Sequence, residues 1–202
     1  MENNIHKSCR LESMKLQTNI YLVRHAHSTY TPDELGRPLS EQGVNDSHLV
    51  TEQLKSENID FVISSPYKRA IQTVEGISKW IDKEIMIEEG FKERKLAGGP
   101  VEDFNEAITI VWENPIFAWK GGESNISAQK RGVDTTFKIL KKYEGKNIVI
   151  GTHGNLMVLI MNYFDPKFDF AFWQKLDMPD INKLTFEGTQ LVEVKRIWRK
   201  AN

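Results

Sequence analysis

Asp60-Phe-Val-Ile-Ser-Ser-Pro-Tyr-Lys-Arg69 is the stretch that decides the fold class. Its first half, 60–64, is a continuous apolar run too short for a helix and reads as a buried strand. Ser64-Ser65 interrupts the run. Pro66 suits the first turn of a helix, where its missing N–H costs no intrahelical bond, and that helix is expected to reach Trp80. A strand, a polar turn and a helix in immediate succession form one unit of a layered α/β sheet.

The same unit recurs on either side. Upstream, Asn19-Ile-Tyr-Leu-Val23 is a β-branched apolar run that stops at Arg24-His25, and residues 40–57 carry Val44, Leu49, Val50 and Leu54 at helical spacing behind Ser40. Downstream, Ile85-Met-Ile87 is a third strand. Residues 124–143 read as a helix with Ile126, Val133, Phe137 and Leu140 on its apolar side. Ile148-Val-Ile150 is a fourth strand, separated by Gly151-Thr-His-Gly154 from an apolar helix over 155–164. This alternation predicts a three-layer α/β/α sandwich with a mostly parallel sheet and right-handed crossovers. Residues 183–186 and 191–197, joined by a turn at Glu187-Gly188, add an antiparallel edge. Between these elements, 94–122 is broken by Gly98-Gly99-Pro100, Pro115 and Gly121-Gly122, and is a candidate lid or cap whose aromatics, from Phe104 to Trp119, read as packing.

The 202 residues suit one domain over 19–202, preceded by a polar leader segment over 1–18. A composition of 40% hydrophobic and 27% charged residues excludes a disordered or fibrous chain. With 27 Lys+Arg against 28 Asp+Glu, no net field favours a polyanion, so neither nucleic acid nor an anionic membrane is an expected partner. No run of about 18 apolar residues offers a membrane span. Cys9 is the only cysteine, which excludes an internal disulfide and points to a reducing, cytoplasmic setting. Nothing in the sequence sets an oligomeric state.

In a parallel α/β sheet, ligands bind beyond the carboxyl ends of the strands. Arg24 and His25 follow the first strand, Ser65 and Arg69 the second, Glu93 comes after the third, and His153 follows the fourth. Two arginines, two histidines and a glutamate on one rim suit a phosphate dianion, because guanidinium forks bind its oxygens and imidazoles add hydrogen bonds or nucleophilicity.

Leu22-Val-Arg-His-Ala26, Ser64-Ser-Pro-Tyr-Lys-Arg-Ala-Ile-Gln-Thr73 and Ile150-Gly-Thr-His-Gly154, which carry these residues apart from Glu93, together with Gly121-Gly-Glu-Ser124, resemble the successive motifs of the histidine phosphatase superfamily, the phosphoglycerate mutase-like proteins. The resemblance implies that His25 is the nucleophile that becomes phosphorylated, that Arg24, Arg69 and His153 bind the phosphoryl oxygens, and that Glu93 is the proton donor. It implies a phosphohistidine route to hydrolysis of a small-molecule phosphomonoester, with no metal and no other cofactor. The sequence departs from the family pattern at Ala26, His27 and Thr31, and in the run Arg94-Lys-Leu-Ala-Gly-Gly99 after Glu93.

The residues themselves are consistent with that chemistry. Arginines beside an imidazole keep it neutral and able to attack phosphorus in line, and the same cations stabilise charge spread over the transition state. His25-Ala-His27 also has the look of a metal pair, but no clustered carboxylate or thiol completes a ligand set. Glu123 fits substrate binding or the first turn of a helix equally well. Two alternatives accompany the hydrolase. One is a phosphoglycerate mutase, whose relatives carry a longer insertion before the Gly-Gly-Glu-Ser motif. The other is an inactive phosphate-binding or scaffold member, which typically lacks the nucleophile or an arginine.

Overall fold

In the computed structural model, which describes residues 16–200, the apolar run 19–23 lies within strand β1 (Gln17–Arg24). There follow α1 (Glu41–Leu54), β2 (Phe61–Ser64), α2 (Lys68–Trp80), β3 (Ile85–Ile87), α3 (Phe104–Glu113), α4 (Asn125–Lys142), β4 (Asn147–Thr152), α5 (Gly154–Phe164), the short α6 (Phe170–Gln174), β5 (Asp180–Glu187) and β6 (Gln190–Arg196). The strands form one sheet in the order β3-β2-β4-β1-β5-β6. The first four are parallel, and β5 and β6 run antiparallel at one side.

Strand alternation sends side chains to opposite faces, and each face has its own apolar cluster. Ile20 and Leu22 of β1 join Ile148, Ile150, Leu184 and Phe186 against Ile139 and Leu140 of α4 and the apolar length of α5. Tyr21 and Val23 join Val62, Val149 and Ile181 against Val50 and Leu54 of α1 and Val74 and Ile77 of α2. Helices therefore cover both faces. Every residue of α5 from Gly154 to Met161 is buried, as its continuous apolar sequence requires. Ser40, Asp103 and Ser124 cap α1, α3 and α4 by accepting backbone N–H bonds.

The differences from expectation have local causes. β1 starts at Gln17, inside the segment read as a leader, because Gln17 and Thr18 pair with Glu187 and Phe186 of β5. Residues 1–15 of that segment, with His6 and Cys9, lie outside the described residues. Pro66 stands ahead of the Tyr67 N-cap of α2 rather than in its first turn. β4 continues through Gly151 and Thr152, which pair with Val23 and Arg24 of β1. β5 begins at Asp180, where the ladder to Arg24 starts. Val44 and Ile126, expected on apolar faces, are exposed. The candidate lid holds one regular element, α3, whose Ala107, Ile108 and Val111 are buried.

Candidate active site

Two backbone bonds carry the ladder one residue past the strand ends. His25 N–H donates to Thr152 O at 3.0 Å and Ser65 N–H to Gly151 O at 2.9 Å, so the carboxyl ends of β1, β2 and β4 are level. Just beyond, Ala26 N–H donates to Thr73 Oγ1 (3.0 Å), which itself donates to Arg69 O (2.7 Å). The first turns of α2 thereby hold the chain that carries His25. The start of α1 approaches the same loop so closely that a Cβ on Gly43 would fall 1.9 Å from His27 O, which only glycine permits.

His25 is 7% exposed. Its Nδ1 lies 2.8 Å from Ala26 O, and a carbonyl can only accept, so Nδ1 carries the proton and Nε2 the lone pair. The Nε–H of Arg69 donates to that Nε2 at 3.2 Å. Burial, reinforced by Arg69, Arg24 and Arg37 and opposed by the Ala26 bond, pushes the imidazole down to about 3. It is a neutral base in a cationic surround.

His153 is wholly buried at the N-cap of α5, and its ring edge meets that of His25 at 5.2 Å between centroids. Its Nε2 lies 2.7 Å from Ser65 Oγ, which accepts the Tyr67 N–H at 3.2 Å. The Ser65 hydroxyl has no other acceptor among the described residues, so it donates to Nε2 and places the imidazole proton at Nδ1. That Nδ1 is buried without a partner. Burial first, then His25 and the arginines, hold His153 well below the usual histidine range.

Arg24 projects from the end of β1 and donates through Nη1 to Leu176 O and Asp177 O, both at 3.2 Å, while its Nε is buried and unpartnered. The receiving loop is pinned by Asp180, which accepts two bonds from Arg196 of β6. Arg69, 2% exposed, donates to Glu34 O at 2.8 Å. The Glu34 carboxylate bridges Arg69 (3.5 Å) and Arg37 (3.0 Å).

Glu93 occupies the expected rim, and its carboxylate also closes the amino end of α5. Oε1 accepts from Arg94 N–H (2.8 Å) and Leu156 N–H (3.2 Å), and Oε2 accepts from Asn155 N–H (3.3 Å). The chain reaches this point because Thr152 Oγ1 donates to Phe91 O at 2.9 Å.

These groups surround a cavity of about 390 Å³ lined by Arg24, His25, Arg69 and Glu93, and the buried His153 packs against His25. The fold thus brings together all five residues expected from the sequence. It adds Arg37, Arg94, Trp173 and Met178, and Phe104, read from sequence as packing, lies on the wall as well. Arg37 and Arg94 were visible only as charges in irregular segments, which have no periodicity to place them. His27 Nδ1 sits 2.8 Å from Ser40 Oγ at the start of α1, and among the described residues no three of His, Cys, Asp and Glu gather as a metal-ligand set. Glu123 pairs with Arg131 at 3.0 and 2.7 Å and stands one residue ahead of the Ser124 N-cap of α4, outside its first turn. Among the described residues no helix is long and apolar enough to cross a membrane.

Known proteins resemble this chain in sequence and in fold. The model of the histidine phosphatase superfamily (branch 1) matches residues 20–197. Phosphoserine phosphatase 1 of Hydrogenobacter thermophilus is 29% identical over 149 residues, 66% of this chain and 70% of that one. The metal-independent phosphoserine phosphatase of Arabidopsis thaliana is 28% identical over 156 residues, 69% of this chain and 66% of that one. Among solved structures, a mycobacterial glucosyl-3-phosphoglycerate phosphatase superposes with a TM-score of 0.73 at 17% identity, covering 89% of this chain and 97% of that chain.

Proposed function

The chain belongs to the histidine phosphatase superfamily, and from that premise we propose that it hydrolyses a small phosphorylated metabolite without a metal, through a phosphohistidine on His25. Nε2 of His25 attacks phosphorus, the N–P bond forms as the ester P–O bond breaks, and Glu93 gives its proton to the departing alkoxide. Water then attacks the phosphohistidine, Glu93 takes up a proton, the P–N bond breaks, and orthophosphate leaves with His25 restored. Arg24 and Arg69 bind the phosphoryl oxygens, and the Nδ1–H of His153 is a further donor to them. Arg37 adds its charge to the field at His25. Fixed cations, Arg24 and the buried Arg69 among them, stabilise the charge that spreads over the transition state. The lone Cys9 favours the cytoplasm as the setting.

The observation that supports this reading best is the state of His25: a neutral imidazole with its lone pair on Nε2, among three arginines. The test is hydrolysis of an aryl phosphate in excess EDTA, together with trapping of acid-labile phosphate on the protein. Both are expected in the wild type and both are lost in His25→Ala. Activity that vanishes with EDTA and returns with a divalent metal overturns the mechanism. Isomerisation of 3-phosphoglycerate outpacing phosphate release would point instead to the mutase.

A further inference from the structure

A second cavity, of about 360 Å³, lies among α3, α4, α5 and α6 and shares no wall residue with the reaction cavity. Trp112 of α3 and Phe170 of α6 are on its wall, their rings stacked at 5.7 Å between centroids and 23° between planes. Ile126 of α4, half exposed, and the buried Leu159 of α5 add aliphatic surface. A recess with apolar walls and a few polar groups has the make-up of a small-molecule site.

The polar groups it leaves free are all of one kind. Asn125, 2% exposed, donates through Nδ2 to Val111 O at 2.9 Å, and its Oδ1 is buried without a partner. Gln129 spends its Nε2 on Leu159 O and Asn162 Oδ1, at 2.9 and 3.2 Å, while its Oε1 accepts nothing among the described residues. Asp169 accepts the Phe172 N–H through Oδ1 at 3.0 Å and keeps its other oxygen. The remaining side-chain donors on the wall are engaged: Trp112 Nε1 donates to Asn155 Oδ1 at 3.2 Å, and Asn162 Nδ2 to Pro166 O at 3.5 Å. Acceptor oxygens are thus left over and side-chain donors are not. The wall also carries a carboxylate and no Lys, Arg or His. A buried amide oxygen without a donor is costly, so the fitting occupant is one that brings the hydrogens.

We propose that this cavity binds a small organic ammonium, a primary amine on an apolar or aromatic body. An ammonium presents three N–H donors and no acceptor, the complement of Asn125 Oδ1, Gln129 Oε1 and the Asp169 carboxylate. Its charge also suits the faces of Trp112 and Phe170, since an aromatic face attracts a cation. The body covers Leu159 and Ile126 and takes their surface out of water. A phosphorylated compound finds no matching charge here, so this site is independent of the phosphatase reading given above.

The test titrates the wild type with 2-phenylethylammonium and, separately, with 2-phenylethanol, nearly the same body without the charge, and follows the methyl signals of Ile126 and Leu159 by NMR. These report the cavity more cleanly than the indole of Trp112, whose N–H reaches Asn155 on the wall of the reaction cavity. Saturable shifts are expected with the amine at a Kd of about 1 mM or below, ordinary for a molecule of that size. The alcohol should bind about 10-fold more weakly, the scale of hydrogen bonds to a charged group. Asp169→Asn keeps an oxygen to cap α6 and removes the charge, and should weaken the amine about 10-fold while leaving the alcohol unchanged. Asn125→Ala should weaken the amine by a similar factor, and if that variant fails to fold, Asp169→Asn decides alone. Equal affinity for amine and alcohol would make the recess an unselective apolar cleft and overturns the proposal. So does an amine affinity unchanged in Asp169→Asn, or the absence of any shift up to about 10 mM amine. Shifts gathered instead at Val101 and Ala107, which line a separate recess holding Glu102 and Glu106, overturn it as well.

Discussion

In the free protein the Nε–H of Arg69 donates to Nε2 of His25 at 3.2 Å, so the proposed phosphate ligand rests on the lone pair of the proposed nucleophile. A phosphoryl group entering the site offers Arg69 better acceptors and uncovers Nε2 in the same movement. One hydrogen bond is exchanged for a stronger, charge-assisted one. Arg69 can make the exchange without losing its place, because Nη1 stays on Glu34 O.

Arg69→Ala should therefore weaken competition by vanadate, which imitates the five-coordinate transition state, by about 2–5 kcal/mol. Inhibition constants against an aryl phosphate measure the loss. Undiminished vanadate inhibition would remove Arg69 from the phosphoryl site.

A second expectation concerns protonation of His25. Burial is the main reason its pKa falls from 6.5 to about 3, with Arg69, Arg24 and Arg37 as secondary causes. The folded protein then binds no proton at His25 between pH 6.5 and about 3, whereas the unfolded chain does. Stability from this residue is fully present above pH 6.5 and is lost as pH falls through that window, by several kcal/mol at its foot. Histidine NMR of the wild type should show no titration of His25 between pH 8 and 5. In Arg69→Ala the pKa should rise yet stay under 6.5, since burial remains. An ordinary midpoint near 6.5 in the wild type contradicts the buried, neutral nucleophile.

How far the sequence reveals this site depends on what each residue follows. Arg24, His25 and His153 come directly after short apolar runs, and Arg69 lies in the first turn of an amphipathic helix, so the period of the neighbouring element fixes their direction. Arg37 and Arg94 come from loops held by non-local bonds, such as Gly98 N–H to Lys120 O and Glu123 N–H to Lys95 O, which no local pattern announces. The second task of Glu93, closing the amino end of α5, joins residues about 60 positions apart. Periodicity also misplaced Val44 and Ile126. Both sit in the first turn of their helices, where the apolar stripe has not yet come under cover.

Ser65 gives the third test. Because its hydroxyl accepts from Tyr67 N–H and donates to His153 Nε2, it selects the Nδ1–H tautomer of His153. Nitrogen-15 spectra of histidine-labelled wild type should show that tautomer, and Ser65→Ala should lose it. The variant also strands a buried imidazole nitrogen, with an expected loss of about 1–3 kcal/mol in unfolding free energy. A tautomer unchanged in Ser65→Ala would mean that some other contact orients His153.

Glu93 has two duties that one substitution can separate. As proton donor, it matters in proportion to the basicity of the leaving group. An alkyl phosphate expels a strongly basic alkoxide, whereas a nitrophenolate departs almost unaided. Glu93→Gln should accordingly slow alkyl phosphates by about 10²–10⁴-fold and aryl phosphates far less. As acceptor for the N–H groups of Asn155 and Leu156, Glu93 also holds the first turn of α5. That turn follows His153 and borders Arg24. Glutamine keeps one oxygen for this role and turns an NH₂ toward the other donors, so a loss of about 0.5–2 kcal/mol is expected, the scale of a helix cap. Glu93→Ala, which removes both oxygens, should lose more stability and show the same bias against alkyl phosphates. Denaturant midpoints and the two rate series are read side by side. If both substrate classes slow by the same factor and that factor follows the lost stability, Glu93 serves only as the cap of α5. If alkyl phosphates alone suffer while the midpoint moves little, proton donation is its principal task.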